Sequence, residues 1–101
     1  MIDFGEYNTG SNLKLKLTDT KECVIEVSLE EIEWDLHRHP HLVDLKIINS
    51  SDEELWPIDS TIVLGLSIKE GPLKFLLREH PSIENNTYRE TVREAIIEIL
   101  N

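Results

Sequence analysis

The chain has 101 residues, of which 40% are hydrophobic, a composition that suits one compact domain over residues 1–101 and excludes a disordered chain. Its net charge of −10 disfavours direct binding to nucleic acid and to anionic lipid, since both bind mainly Lys and Arg. No apolar run is long enough to span a membrane, so we expect no membrane association. The one cysteine, Cys23, excludes an internal disulfide and favours a cytoplasmic location.

The first predicted elements are a lead-in and a hairpin. Residues 1–11 are polar and contain turn-forming Gly and Asn, so we expect a loosely ordered lead-in. In residues 12–18, leucine alternates with lysine, which predicts a strand with one buried face. After a short polar break, residues 23–27 are also apolar at every second position, so the two runs predict an antiparallel hairpin.

The segment 28–39 is compatible with two structures. Ser28, followed by a glutamate three residues later, is typical of a helix N-terminus. However, Ile32, Trp34 and Leu36 alternate with acidic residues, which predicts a strand. We favour the strand because Trp34 fits only the alternating pattern, and the helix stays an open alternative.

The remaining elements set the predicted fold class. Residues 42–48 and 61–68 alternate as strands, and the second run is the most apolar and is expected at the centre of the sheet. Pro72 opens a run without β-branched residues, which predicts a short helix that ends before Pro81. Asn86 or Thr87 caps a second predicted helix that runs to the C-terminus, and its apolar face consists of Tyr88, Val92, Ala95, Ile96 and Ile99. We therefore expect an α+β fold, in which an antiparallel sheet of about four to five strands has two C-terminal helices packed on one face.

The acidic charge is concentrated in residues 28–59, which hold nine acids and two bases. A solvated face is the simplest interpretation of such a run. Both tryptophans lie in the same stretch, however, and acids that steer a basic partner combine well with aromatic anchors. The predicted partner-binding residues are Glu30, Glu31, Glu33, Trp34, Asp35, Asp52, Glu53, Glu54 and Trp56.

Three histidines offer a weaker alternative, a metal site. His37, His39 and His41 stand at alternate positions, so an extended backbone would direct them to one side. Asp35 or Asp44 could serve as a fourth ligand or as a hydrogen-bond partner of a ligand. An extended segment of this length spans roughly 13 Å, too far for one ion without a sharp turn. A solvated turn is therefore the favoured interpretation, and no cofactor is expected.

The sequence contains no assembled set of nucleophile, base and oxyanion donors, so we do not expect an enzyme. The favoured function is an acidic protein-binding module that covers a basic site on a partner, such as a toxin or a nucleic-acid-binding enzyme. In size and charge the chain is similar to bacterial immunity proteins, antitoxins and phage-encoded inhibitors, a resemblance that assigns no residue a role. The alternatives are a metal-binding protein or metal-dependent enzyme that uses the histidines, and a self-associating structural subunit such as a homodimer.

Overall fold

A computed structural model describes residues 2–33, 41–82 and 87–100, and the side chains of 80–82 lie outside the description. Within these residues the chain forms β-strands and one short 3₁₀ helix, Phe4–Glu6, and no α-helix. None of the described residues belongs to a helix that could cross a membrane. The strands are β1 (Ile2–Asp3), β2 (Asn12–Thr18), β3 (Glu22–Glu33), β4 (Leu42–Ser50), β5 (Thr61–Gly65), β6 (Ser67–Ile68), β7 (Leu73–Ser82) and β8 (Thr87–Ile99).

Six of the strands close an antiparallel barrel in the order β2-β3-β4-β5-β7-β8. Alternate side chains of each strand point into the barrel, and in a barrel of this size they fill the interior as a packed core. The buried residues include Leu15, Ile25, Leu45, Ile62 and Leu77, each at most 2% exposed. Closure of the sheet gives each barrel strand a paired neighbour on both sides, and burial of its inner face forms the core.

The N-terminal residues are attached to the barrel. β1 pairs with β6, with Ile2 opposite Ile68. Phe4 is fully buried, and its backbone N–H donates to the carbonyl oxygen of Leu66 at 2.9 Å. The side chain of Asp3 accepts a hydrogen bond from the N–H of Gly5 at 2.8 Å, which fixes the start of the 3₁₀ helix.

The predicted α+β fold was wrong, because β7 and β8 replace the two expected C-terminal helices. In β7, Phe75 and Leu77 point into the barrel, which is the period of two of a strand. The sequence analysis predicted a helix here because the segment has no β-branched residues. In β8, Ala95 and Ile97 are buried whereas Val92, assigned to the buried helical stripe, is 63% exposed. Because β7 pairs with β5 and β8 pairs with β2, closing the barrel outweighs the local helix signals.

A β-bulge explains the ambiguity of residues 28–33, which lie in β3. Leu29 is opposite Leu45 and Glu31 is opposite Asp44, so Glu30 is an extra residue in β3. The bulge allows both Leu29 and Ile32 to face the core although they are three positions apart, and a spacing of three is what indicated a helix. After the bulge, Ile32 packs against the core and Glu31 and Glu33 point away from it.

Candidate functional site

The second half of β3 carries three of the predicted binding residues on one short segment. Glu30, Glu31 and Glu33 are all exposed. β2 pairs with β3 only as far as Ser28, so Glu31 and Glu33 pair with β4 on one side and no described strand pairs with them on the other. We call Glu30, Glu31 and Glu33 the β3 acidic segment.

No ion pair joins the β3 acidic segment to any base in the part of the chain that the structure describes. Elsewhere acids lie beside bases: Arg78 pairs with Glu90 at 3.1 Å and Arg89 with Glu79 at 2.7 Å. The residue directly opposite Glu31 is Asp44, another acid. The negative charge of this segment is therefore not neutralised by described side chains.

The other predicted acids, Asp52, Glu53 and Glu54, lie beyond the opposite end of β4. Glu31 is opposite Asp44, six residues before the end of β4 at Ser50, so the two acidic groups are separated by roughly 20 Å or more along the strand. Asp52 has a structural role, since it pairs with Lys21 and its Oδ1 accepts hydrogen bonds from the N–H groups of Glu54 and Leu55. The hydrogen bond from Lys21, followed by the backbone donors, lowers the pKa of Asp52.

Trp56 is part of the core rather than the surface. Its side chain is 1% exposed and stacks on Phe75 with ring centroids 5.9 Å apart. The guanidinium carbon of Arg93 lies 4.1 Å from the centroid of the indole ring, and its Nη1 donates to the carbonyl oxygen of Leu55 at 2.8 Å. Trp56 therefore packs on the barrel interior and is not available as an anchor for a partner.

Several predicted site residues lie outside the described residues. These are Trp34, Asp35, His37 and His39. His41 is described and is half-buried directly before β4, where its carbonyl oxygen accepts a hydrogen bond from the N–H of Leu66 at 2.7 Å. The histidine metal site and the Trp34 anchor therefore stay predictions.

Asp44 was predicted only as a possible additional ligand of the histidine site, and the structure places it beside Glu31 and Glu33. One carboxylate oxygen from each of Glu31, Glu33 and Asp44 lies within 4.8 Å of the others. Asp44 is 9% exposed, and its Oδ1 is buried and accepts no hydrogen bond from any described residue. The alternation in residues 42–48 placed Asp44 on the polar side of a strand, and only the bulge at Glu30 brings it opposite Glu31.

The pKa of the Asp44 carboxyl is raised, and burial is the main cause. The negative charge of Glu33 raises the pKa further. Arg78 opposes this shift, and Glu31 adds a smaller upward effect. Asp44 is thus a buried acid whose charged form is disfavoured by its surroundings.

A cleft of about 420 Å³ lies elsewhere, between the N-terminal residues and the end of β8. Its lining includes the acids Asp3, Glu6, Glu70 and Glu98, with Lys69 as the base among them. None of the predicted site residues lines it.

A scan against models of protein families, a search of curated proteins and a search of solved structures each found no match for this chain.

Proposed function

We propose that this chain is a protein-binding module whose β3 acidic segment contacts a basic surface on a partner protein, and that it acts by covering that surface. The observation that supports the proposal is the exposure of Glu30, Glu31 and Glu33 without a base beside them among the described residues. Unpaired surface acids are available to an incoming Lys or Arg, whereas acids already in ion pairs must first lose them.

The position of the segment favours contact with a partner. Because β3 continues beyond the last residue that β2 pairs with, its second half lies at the boundary of the barrel instead of within the continuous sheet. An exposed, strongly charged strand edge resists pairing with a second copy of itself, since like charges would meet. The same charge attracts a cationic surface, so the segment fits a basic partner better than self-association.

Occlusion of a basic site is the expected mode of action. A toxin or an enzyme that binds nucleic acid has a surface rich in Lys and Arg, and an acidic protein competes there with the phosphate backbone. The buried thiol of Cys23 and the absence of disulfides suit the cytoplasmic location that we propose for this encounter. Binding without chemistry is the activity proposed for the chain.

The experiment is affinity capture from the lysate of the source organism at about 50 mM salt, with a chelator present, followed by stepwise salt elution and identification by mass. The wild-type chain is compared with the Glu31→Lys/Glu33→Lys variant. The matched control is Glu53→Lys/Glu54→Lys, which changes the net charge equally at the far end of β4. We expect a basic protein to be captured by the wild type and the control, and to be lost with the β3 variant.

Association kinetics with the captured protein give a second measure. Charge reversal at Glu31 and Glu33 should lower the association rate by about tenfold at low salt and flatten its salt dependence. Equal loss in the β3 variant and the control would show that only net charge matters and would contradict the proposed surface. Failure to capture any salt-sensitive protein would contradict the function.

A further inference from the structure

We infer that Glu31, Glu33 and Asp44 form a binding site for a divalent cation of the calcium class. The inference goes beyond the proposed function, because it concerns an ion rather than a protein. The three carboxylates come from two paired strands, with Glu31 directly opposite Asp44 and Glu33 two residues further along the same face of β3. The β-ladder therefore sets their relative positions.

The distances suit a shared ion. One oxygen from each carboxylate lies within 4.8 Å of the other two. Calcium binds carboxylate oxygens at about 2.3–2.6 Å, so two oxygens on opposite sides of one ion are separated by roughly 5 Å or less. Magnesium requires shorter bonds, about 2.0–2.1 Å, and a stricter octahedron, so the larger ion needs less rearrangement.

The burial of Asp44 distinguishes this cluster from an ordinary acidic surface. Its side chain is 9% exposed, and Oδ1 accepts no hydrogen bond from a described residue. On β5, the residue opposite Asp44 is Val63, which is buried and supplies no polar side-chain atom. A buried carboxylate oxygen without a donor is costly, and a cation held with two further carboxylates would compensate it.

The two glutamates supply the charge and the access. Both are exposed, so an ion can reach the site from solvent without opening the barrel. Three carboxylates carry more negative charge than a divalent ion neutralises, which favours binding of a hard cation with water in the remaining positions. The ion and a basic partner would use Glu31 and Glu33 in common, so each should weaken binding of the other.

Calorimetric titration with calcium chloride alone tests the inference. The protein is first stripped with a chelator and then dialysed into about 0.15 M sodium chloride, which screens non-specific attraction to the acidic chain. The variants are Asp44→Asn and Glu33→Gln, and the matched control is Glu53→Gln, which also removes one charge. We expect one calcium ion per wild-type chain, a dissociation constant at least tenfold larger in both site variants, and a change below twofold in the control.

Thermal unfolding of the same proteins shows whether a variant that binds calcium weakly is still folded. At one calcium concentration, we expect calcium to raise the melting temperature of the wild type and of Glu53→Gln more than that of Asp44→Asn. Binding that does not saturate, or that weakens equally in all three variants, would overturn the site. Because the partner capture is done in chelator and this titration contains no partner, failure of one leaves the other result standing.

Discussion

Asp44 is an acid in a place that disfavours its charge. Burial, Glu33 and Glu31 raise its pKa, and Arg78 only partly compensates. An acid whose pKa is higher in the folded state than in the unfolded state destabilises the fold at neutral pH, and this penalty disappears as the pH falls toward its ordinary pKa of 3.8. The residue therefore costs stability in the ion-free protein.

Replacing this one acid should stabilise the ion-free protein. In chelator at about pH 7, Asp44→Asn should raise the free energy of unfolding, because the amide carries no charge for this site to disfavour. The advantage should shrink as the pH is lowered through the raised pKa of Asp44, because the wild-type carboxyl becomes neutral. Urea denaturation at a series of pH values measures this, and an advantage that grows on acidification would contradict the assignment.

Asp52 shows the opposite behaviour, which separates the two acidic groups. Lys21 and backbone donors lower its pKa, so its favourable contribution is present above its ordinary pKa of 3.8 and is lost as the pH falls through the lowered value. From sequence, Asp52 and the β3 acidic segment belong to one charge-rich stretch. The structure assigns a loop-stabilising role to the first and leaves the second exposed.

At the scale of the element, β8 gives a direct test of strand against helix. The expected helical face included Val92, whereas the strand buries Ile97 at 6% exposure and leaves Val92 63% exposed. We expect Ile97→Ala to lower the free energy of unfolding by about 2–5 kcal/mol, and Val92→Ala to change it by about 0.5 kcal/mol or less. Chemical denaturation of the two variants measures both values, and comparable losses would contradict the observed register.

The elements that were predictable from sequence have a clear period of two and a local partner. The hairpin of β2 and β3 was predicted and is confirmed, with Leu15 opposite Ile25. β4 was also predicted as a strand and is confirmed. The single strand predicted over 61–68 is divided into β5, which is in the barrel, and β6, which pairs with β1. In these segments local pattern and final packing agree, so the alternation was sufficient.

The last two strands could not be predicted in this way although they pair with each other, because neither shows a clear period of two and each opens with a helix signal. β8 begins with exposed residues, Thr87 to Val92, so its buried alternation is confined to its second half. β8 also pairs with β2, which lies near the other end of the chain. Barrel closure between distant segments is a property of the whole fold that no local period contains.

The candidate site was predictable only in part, for a similar reason. The acids Glu30, Glu31 and Glu33 were identified from charge and are exposed, and their role in binding a partner stays a prediction. The burial of Trp56 and of Asp44 depends on packing against Phe75 and on the pairing of β4 with β3 and β5. The residues next to Trp56 and Asp44 in the sequence show no pattern that would predict this packing or this strand pairing.

At the scale of the whole molecule, the net charge of −10 opposes the compact state. Raising the sodium chloride concentration from about 0.01 M to about 0.15 M shortens the Debye length from about 30 Å to about 8 Å and weakens this repulsion. We expect the melting temperature to rise by roughly 2–5 °C over this range in chelator. Scanning calorimetry measures the shift, and a fall would mean that the ion pairs outweigh the repulsion.

The extra residue in β3 also affects how the protein tolerates changes in chain length. Deleting one residue from a regular strand turns every later side chain to the other face of the sheet. Glu30 and Glu31 together occupy the place opposite Asp44, so loss of Glu30 would restore a regular ladder and leave Ile32 facing the core. A gene encoding this protein can therefore lose that codon without turning the surface inward, whereas loss of a residue from the regular part of β2 would reverse the faces of the strand.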